Sequence, residues 1–284
     1  MIDTSEHLYT SVSFELSKII TSRYSTSFSM GVSVLDKKYQ DAIYGIYGFV
    51  RVADEIVDTF KNINKDKLFN EFRTQTYNAI EEGISTNPIL HSFQRVVNQY
   101  NISKTHIDAF LNSMQMDLYY SSHNRERYDQ YIFGSAEVVG LMCLKVFVDG
   151  NQEEYDKLEP YAKALGSAFQ KVNFLRDIKS DFEERGRLYF PNVNNENELT
   201  NENKRKLEEE VNKEFEKSLI GIKNLNYGVK LGVYSAYKYY KALFKRIVNT
   251  DIEILKKRRI RVPNLIKFFI LINSFIQVKL LRVI

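Results

Sequence analysis

The chain has 284 residues, with 40 Lys and Arg against 36 Asp and Glu, a net charge of +4. That balance is too mild for a dedicated nucleic-acid binder, so no nucleic-acid partner is expected. Only 12 glycines and 4 prolines argue against a turn-rich β-sandwich, a barrel or a collagen-like chain, and 44% apolar residues can bury a large core. Cys143 is the one cysteine, which excludes an internal disulfide and suits a reducing compartment. The histidines His7, His91, His106 and His123 are scattered, without the spacing of a zinc site. The first ten residues lack the basic start and apolar run of a signal peptide, so a cytoplasmic protein is expected.

Apolar residues recur at helical spacing along nearly the whole chain. Helices are predicted over residues 5–23, 36–59, 65–82, 88–100, 103–121, 127–148, 152–184, 203–224 and 228–249. A last one over 251–284 is predicted to break near Pro263. Asp36 and Ser103 stand at cap positions, and Asn87-Pro88 pairs a cap with proline at the first helical position. Residues 192–203 form an Asn-rich polar loop, expected to be mobile. No strand-rich block, linker or internal repeat appears, so residues 1–284 are expected to form one all-α domain.

Two helical segments carry paired carboxylates. On the first, Tyr44, Tyr47, Arg51, Asp54 and Asp58 fall within an arc of about 80°, and Ile46, Phe49, Val50, Val52, Ile56 and Val57 between them are apolar. On the second, Gln170, Asn173, Asp177 and Asp181 share a similar arc, with Arg176 beside them. Like charges one turn apart on an apolar helix repel, so a purely structural helix has little reason to hold them. If the two faces oppose each other, four carboxylates line one cavity. Oxygen ligands of this kind suit Mg²⁺ and an organic diphosphate whose leaving group the metal stabilises. The plainer alternatives are a solvated acidic face, or Arg51 and Arg176 simply neutralising their neighbours as structural ion pairs.

These two segments resemble the first and second Asp-rich motifs of the squalene/phytoene synthase family of head-to-head prenyl transferases. Ser25-Thr-Ser27-Phe28, Ser135-Ala-Glu-Val-Val-Gly140 and Arg185-Gly-Arg187-Leu-Tyr189-Phe-Pro191 add to the likeness, which spans about residues 20–262 and is nearest to the bacterial phytoene synthases. The resemblance implies an isoprenoid-synthase helical bundle with a central active-site cavity. It implies that two identical allylic diphosphates condense through a cyclopropyl diphosphate. It further implies that Asp54, Asp58, Asp177, Asp181 and Asn173 hold Mg²⁺, for which Mn²⁺ can substitute. Arg51, Arg176, Tyr131 and Tyr189 would be catalytic. Ser27, Phe28, Tyr47, Arg51, Gln170, Asn173, Arg187, Tyr240 and Arg259 would bind substrate. The sequence departs from the family pattern at Ser180, where Glu is common, and at Ala136-Glu137-Val138, where Ala-Gly-Thr is usual. Glu137 either reaches the cavity or faces solvent.

The leading reading is therefore a Mg²⁺-dependent phytoene synthase joining two geranylgeranyl diphosphates in carotenoid synthesis. Gly31 and Val32 are small where a larger side chain could close the cavity floor, which favours the twenty-carbon substrate. The alternative is a thirty-carbon synthase making dehydrosqualene or squalene from farnesyl diphosphate, and a third reading is a catalytically dead helical interaction subunit. No Gly-x-Gly-x-x-Gly follows a strand to mark a nicotinamide site. Cys143 reads as a small buried hydrophobe, and Tyr44, Tyr47, Phe133 and Phe169 as core or as cation-facing rings. The run from Lys256 to Arg261 reads as a solvated or diphosphate-facing surface. The basic, apolar C-terminal segment is too short between charges to span a bilayer. It is expected to give peripheral membrane contact, the alternative being a final helix packed on the bundle.

Overall fold

The computed structural model describes residues 4–120, 122–193 and 195–284. The chain order is α1 (Thr4–Tyr24), α2 (Thr26–Ser33), α3 (Lys37–Asp58), α4 (Lys65–Glu82), α5 (Pro88–Tyr100), α6 (Lys104–Tyr119) and α7 (Arg125–Ile132). It continues with α8 (Val138–Phe147), α9 (Gln152–Arg185), α10 (Asn201–Asn224), α11 (Tyr227–Val248), α12 (Ile252–Leu255) and α13 (Asn264–Phe275). The fold is all-α, as the periodicity predicts. Two minimal strands, β1 (Ser122–His123) and β2 (Leu188–Pro191), pair in parallel, because Leu188, Tyr189 and Phe190 form a wholly buried run after α9.

Local chemistry explains most helix starts. Asn64, Asn87, Ser103 and Asn151 each accept a backbone N–H bond at an N-terminus, and Pro88 occupies the first turn of α5. Thr200 and Asn203 form a capping box that starts α10 two residues earlier than the periodicity suggests. Asp36 precedes α3 but makes no side-chain cap bond. Its backbone N–H donates to the Gly228 carbonyl (2.9 Å), and its carboxylate lies against Gly228 at the start of α11 instead.

Other boundaries also differ from the sequence reading. Residues 26–33 form a separate helix, capped by Ser25, whose side chain accepts from the Phe28 N–H. The predicted helix 127–148 contains a π-helical turn at Phe133–Glu137 between α7 and α8. The helix from Ser103 ends at Tyr119, and Ser121 lies outside the described residues, as do Asn194 and residues 1–3. Val193 and Leu199 anchor the Asn-rich loop in the core. The C-terminal break extends from Lys256 to Pro263, and α13 ends in a second π-helical turn, Ile276–Leu280. The run Arg125–Phe147 is long and apolar enough to cross a bilayer by length and composition. Tyr128, Val138, Leu141 and Met142 on it are wholly buried, so it is a core helix here.

Two apolar clusters build the core, one centred on α3 with α5, α6 and α8, the other on α9 with α7, α10 and α11. Small residues let the helices approach. Ser13, Ser17 and Thr21 face inward from α1, and Gly48 lies so close that a side chain there would meet Ser17 Oγ at 2.7 Å. The larger residues Leu8, Val12 and Ile19 therefore point outward. Gly134, in the π-helical turn, is tighter still: a Cβ there would lie 2.4 Å from the Ala109 carbonyl oxygen and 2.6 Å from Ser113 Cβ. Gly31 has its nearest such neighbour at 3.6 Å, an ordinary contact.

Gly134→Ala is accordingly expected to lower stability by about 1–3 kcal/mol through forced separation of α6 and the π-helical turn. Gly31→Ala is expected to be neutral or slightly stabilising, since alanine is the better helix former. Urea denaturation of both variants checks this contrast; equal midpoints would contradict it.

Candidate functional site

A cavity of about 800 Å³ runs between the two core clusters. Its walls come from α2, α3, the π-helical turn, α8, α9, α10 and α11, and the segment after α12 closes one end. The lining is mostly apolar, with Val32, Ile46, Val139, Leu165 and Ile222 on the wall. Two stacked aromatic pairs also line it: Phe28 on Tyr47 (centroids 4.7 Å apart) and Phe169 on Tyr240 (3.9 Å). The π-helical turn turns Ser135 and Ala136 toward the cavity, while Glu137 is not on the lining. Cys143 lines the wall, and burial pushes its thiol up to about 12, so it is a neutral thiol at ordinary pH.

Arg176 and Arg259 line the polar end of this cavity, and the carboxylates of α3 and α9 gather next to it; Asp54, Asp58, Asp177 and Asp181 are not themselves on the lining. Arg51 Nη1 donates to Asp54 Oδ2 (2.6 Å), and the same guanidinium pairs with Glu55 and lies over the Tyr24 ring. On α9, Arg176 donates through Nε and Nη2 to the two oxygens of Asp177 (2.9 and 2.5 Å), and Arg259 Nε reaches Asp177 Oδ1 (2.7 Å). Arg185 then joins the two helices: its Nε meets Asp58 Oδ2 and its Nη1 meets Asp181 Oδ1, both at 2.9 Å. Gly186 ends α9 at φ +66°, which reverses the chain so that Arg187 Nη1 also reaches Asp58, at 2.6 Å.

Burial, followed by the charge of Asp58, raises Asp54 to about 6, with Arg51 opposing. Burial and then Asp177 raise Asp181 to about 7. Burial is the larger cause of both shifts, the neighbouring carboxylate the second, and the arginines oppose them. Among the described residues, no three acidic, imidazole or thiol groups converge on one point, because guanidiniums stand between the carboxylates. Arg51 and Arg176 thus make the ion pairs that the plainer sequence reading describes, and Arg176 and Arg259 also line the cavity.

Neutral donors extend the site. Tyr240 donates to Asn173 Oδ1 (3.2 Å), Asn173 Nδ2 to Gln170 Oε1 (3.4 Å), and Gln170 Nε2 to Ser135 Oγ (3.3 Å). Of the sequence candidates, Ser27, Phe28, Tyr47, Gln170, Asn173, Arg176, Tyr240 and Arg259 line the cavity. Tyr131, Tyr189 and Arg187 are buried behind it, drawn there by Asp117, which the sequence reading missed. Both phenols donate to Asp117 (2.7 Å each), and Arg187 Nη1 stands 3.8 Å from the same carboxylate. The signal was an acid between Met114, Met116 and Leu118 on an apolar helix. Arg185 was missed as well, although its Arg-Gly-Arg turn was visible. Glu137 belongs to a polar cluster with Glu214, Lys171 and Lys163, where burial and Glu214 raise it to about 6.

Burial raises Asp117 to about 7 against the hydrogen bonds and Arg187 charge that favour its ionised form. An unfolded Asp titrates near ~3.9. Between these values the folded protein holds a proton that the unfolded chain has lost, so stability falls as pH rises from about 4 to about 7. Asp117→Asn should flatten this fall by roughly 2–4 kcal/mol across the window. Urea midpoints from pH 4.5 to 8 measure it; an unchanged slope would show that Asp117 is ionised in the fold.

Comparison with known proteins agrees with this geometry. The family profile described as squalene/phytoene synthase matches residues 21–265. The chain is 26% identical over 174 residues to the 4,4'-diapophytoene synthase of Staphylococcus haemolyticus, covering 59% of this chain and 58% of that protein. It is 25% identical over 268 residues to the 15-cis-phytoene synthase of a Synechocystis strain, covering 86% and 79%. The first of these alignments thus spans under two thirds of the relative's length. A crystal structure of a dehydrosqualene synthase superposes with a TM-score of 0.79 at 20% identity, over 95% of this chain and 98% of that one. An apolar cavity that ends between two facing Asp-bearing helices, in a chain matched over most of its length, places this protein in the squalene/phytoene synthase family.

Proposed function

We propose that the chain condenses two allylic prenyl diphosphates head to head, and that its substrate is geranylgeranyl diphosphate and its product phytoene. The observation that supports this most is the joining of a long apolar cavity to a charged end built from α3 and α9. The donor set there fits Mg²⁺: Asp54, Asp58, Asp177, Asp181 and Asn173 offer oxygen ligands, and each helix presents its two carboxylates one turn apart. These five residues would hold the metal, which when bound supplies positive charge to a departing diphosphate.

The chain's own residues account for the rest. Arg176 and Arg259, at the charged end of the lining, bind and orient the diphosphates. Arg51 holds Asp54 in position while its guanidinium rests on Tyr24. In the first step the allylic carbon–oxygen bond breaks and its electron pair leaves with diphosphate. The double bond of the second substrate attacks the resulting cation, and loss of a proton closes a cyclopropyl diphosphate. That intermediate loses its own diphosphate, and rearrangement with loss of a proton yields the 1-1′ linked hydrocarbon. The apolar wall excludes water that would otherwise trap the cation. The ring faces of Phe28, Tyr47, Phe169 and Tyr240 offer π density along the same wall.

A second reading is the thirty-carbon reaction from two farnesyl diphosphates. The likeness to proteins named diapophytoene and dehydrosqualene synthases favours it. Val32 is buried on the lining, so the two readings separate by experiment. Mass spectrometry of products made with Mg²⁺ from a mixture of both diphosphates should show a forty-carbon hydrocarbon for the wild type and a shift to thirty carbons for Val32→Phe. Only thirty-carbon product from the wild type would establish the second reading.

Asp54→Asn and Asp177→Asn should each lower turnover by roughly three orders of magnitude, since each removes charge that organises the leaving group. The helical circular dichroism should be unchanged, because asparagine keeps the side chain's shape and its amide oxygen still accepts from Arg51 or Arg176. Near-normal turnover in both variants would end the metal reading.

A further inference from the structure

The outward face of α13 is almost wholly apolar. Leu265, Phe268, Phe269, Ile272 and Phe275 are each 40–66% exposed, and Leu280 and Leu281 continue the patch at 65% and 62%. Ser274 and Gln277 are turned toward the bundle, and the exposed Asn273 lies at the margin of the apolar face. Tyr234 donates to Gln277 Oε1 (2.7 Å), Lys238 pairs with Asn273, and Ser274 is fully buried. The spread of polar residues around the helix, which in sequence obscures any amphipathic face, is thus resolved by contacts with α11.

Charge distribution names the occupant of this face. Exposed Lys257, Arg258 and Arg261 precede α13, whereas Lys256 is paired with Glu253 and Arg259 with Asp177; Lys279 and Arg282 follow it, and residues 255–284 contain no acidic side chain. An apolar helix face flanked at both ends by cations matches an anionic bilayer, in which rings sink to the acyl boundary while Lys and Arg meet lipid phosphates. A second copy of this chain would bring the same cations against themselves. Arg261, Asn264 and Lys267 also line the cavity, so the patch begins where the cavity ends. We propose that α13 and the turn after it dock this protein on the surface of an anionic lipid bilayer, with the cavity adjoining the docked face.

The test is flotation of the full-length protein with vesicles of phosphatidylcholine containing phosphatidylglycerol, and with pure phosphatidylcholine vesicles, at low and high salt. The wild type should float with the anionic vesicles at low salt and bind at least about tenfold more weakly to neutral vesicles or in high salt. Phe268→Glu combined with Phe269→Glu should lower anionic-vesicle binding at least about tenfold, as should Lys257→Glu combined with Arg258→Glu. All four residues are exposed and none lines the cavity, so circular dichroism and turnover of a water-dispersed substrate should be unchanged. Absence of wild-type binding to anionic vesicles, or undiminished binding by the phenylalanine variant, would overturn the proposal. So would sedimentation showing a dimer that this variant dissociates without any vesicle binding, since a second copy would then cover the face.

Discussion

Carboxylates from α3 and α9 come together beside one end of an apolar cavity because guanidiniums stand between them. Arg185 is the central member, holding Asp58 with one edge and Asp181 with the other. Without such partners, like charges brought together away from water would ionise poorly or force the helices apart. The lattice is incomplete by design of its geometry: Arg51 and Arg176 each serve the carboxylate beside them, and Asp54 and Asp181 stay above the usual carboxylate range. The resting site is therefore a set of acids held close together on two facing helices, each tied to a guanidinium.

The rest of the architecture serves the cavity that meets this end. Gly134 lets α6 close on the π-helical turn, and that turn faces Ser135 and Ala136 inward. Close helix contact elsewhere leaves the open space concentrated in one place instead of scattered as small voids. Behind the charged end, Asp117 gathers Tyr131, Tyr189 and Arg187 into a buried network, and Arg187 carries that network to Asp58. These three residues support the site from behind the wall, and Asp58 is thereby fixed from two sides.

Helices α1 and α13 share a reversal of the usual pattern. Small polar residues of α1 face the core beside Phe14, where glycines demand close approach, while Leu8, Val12 and Ile19 face out. On α13 the polar residues bond to α11 and the rings face out. Neither orientation follows from hydropathy, because each depends on what the neighbouring helix presents.

The sequence by itself determined the helical class, most helix positions and the two acidic faces, since periodicity, cap residues and the spacing of Asp54, Asp58, Asp177 and Asp181 are local properties. It carried the family likeness for the same reason, in short runs of adjacent residues. Tertiary structure decided what stands opposite what. That Asp36 turns away from its own helix, that Arg185 bridges two helices and that Asp117 draws Tyr131 and Tyr189 off the cavity are all consequences of side chains far apart in sequence meeting in space. Periodicity registers which side of a helix is apolar. It carries no information about which distant charge or hydroxyl will be packed against it, and in a buried site those distant partners set where each side chain points and which protons it holds.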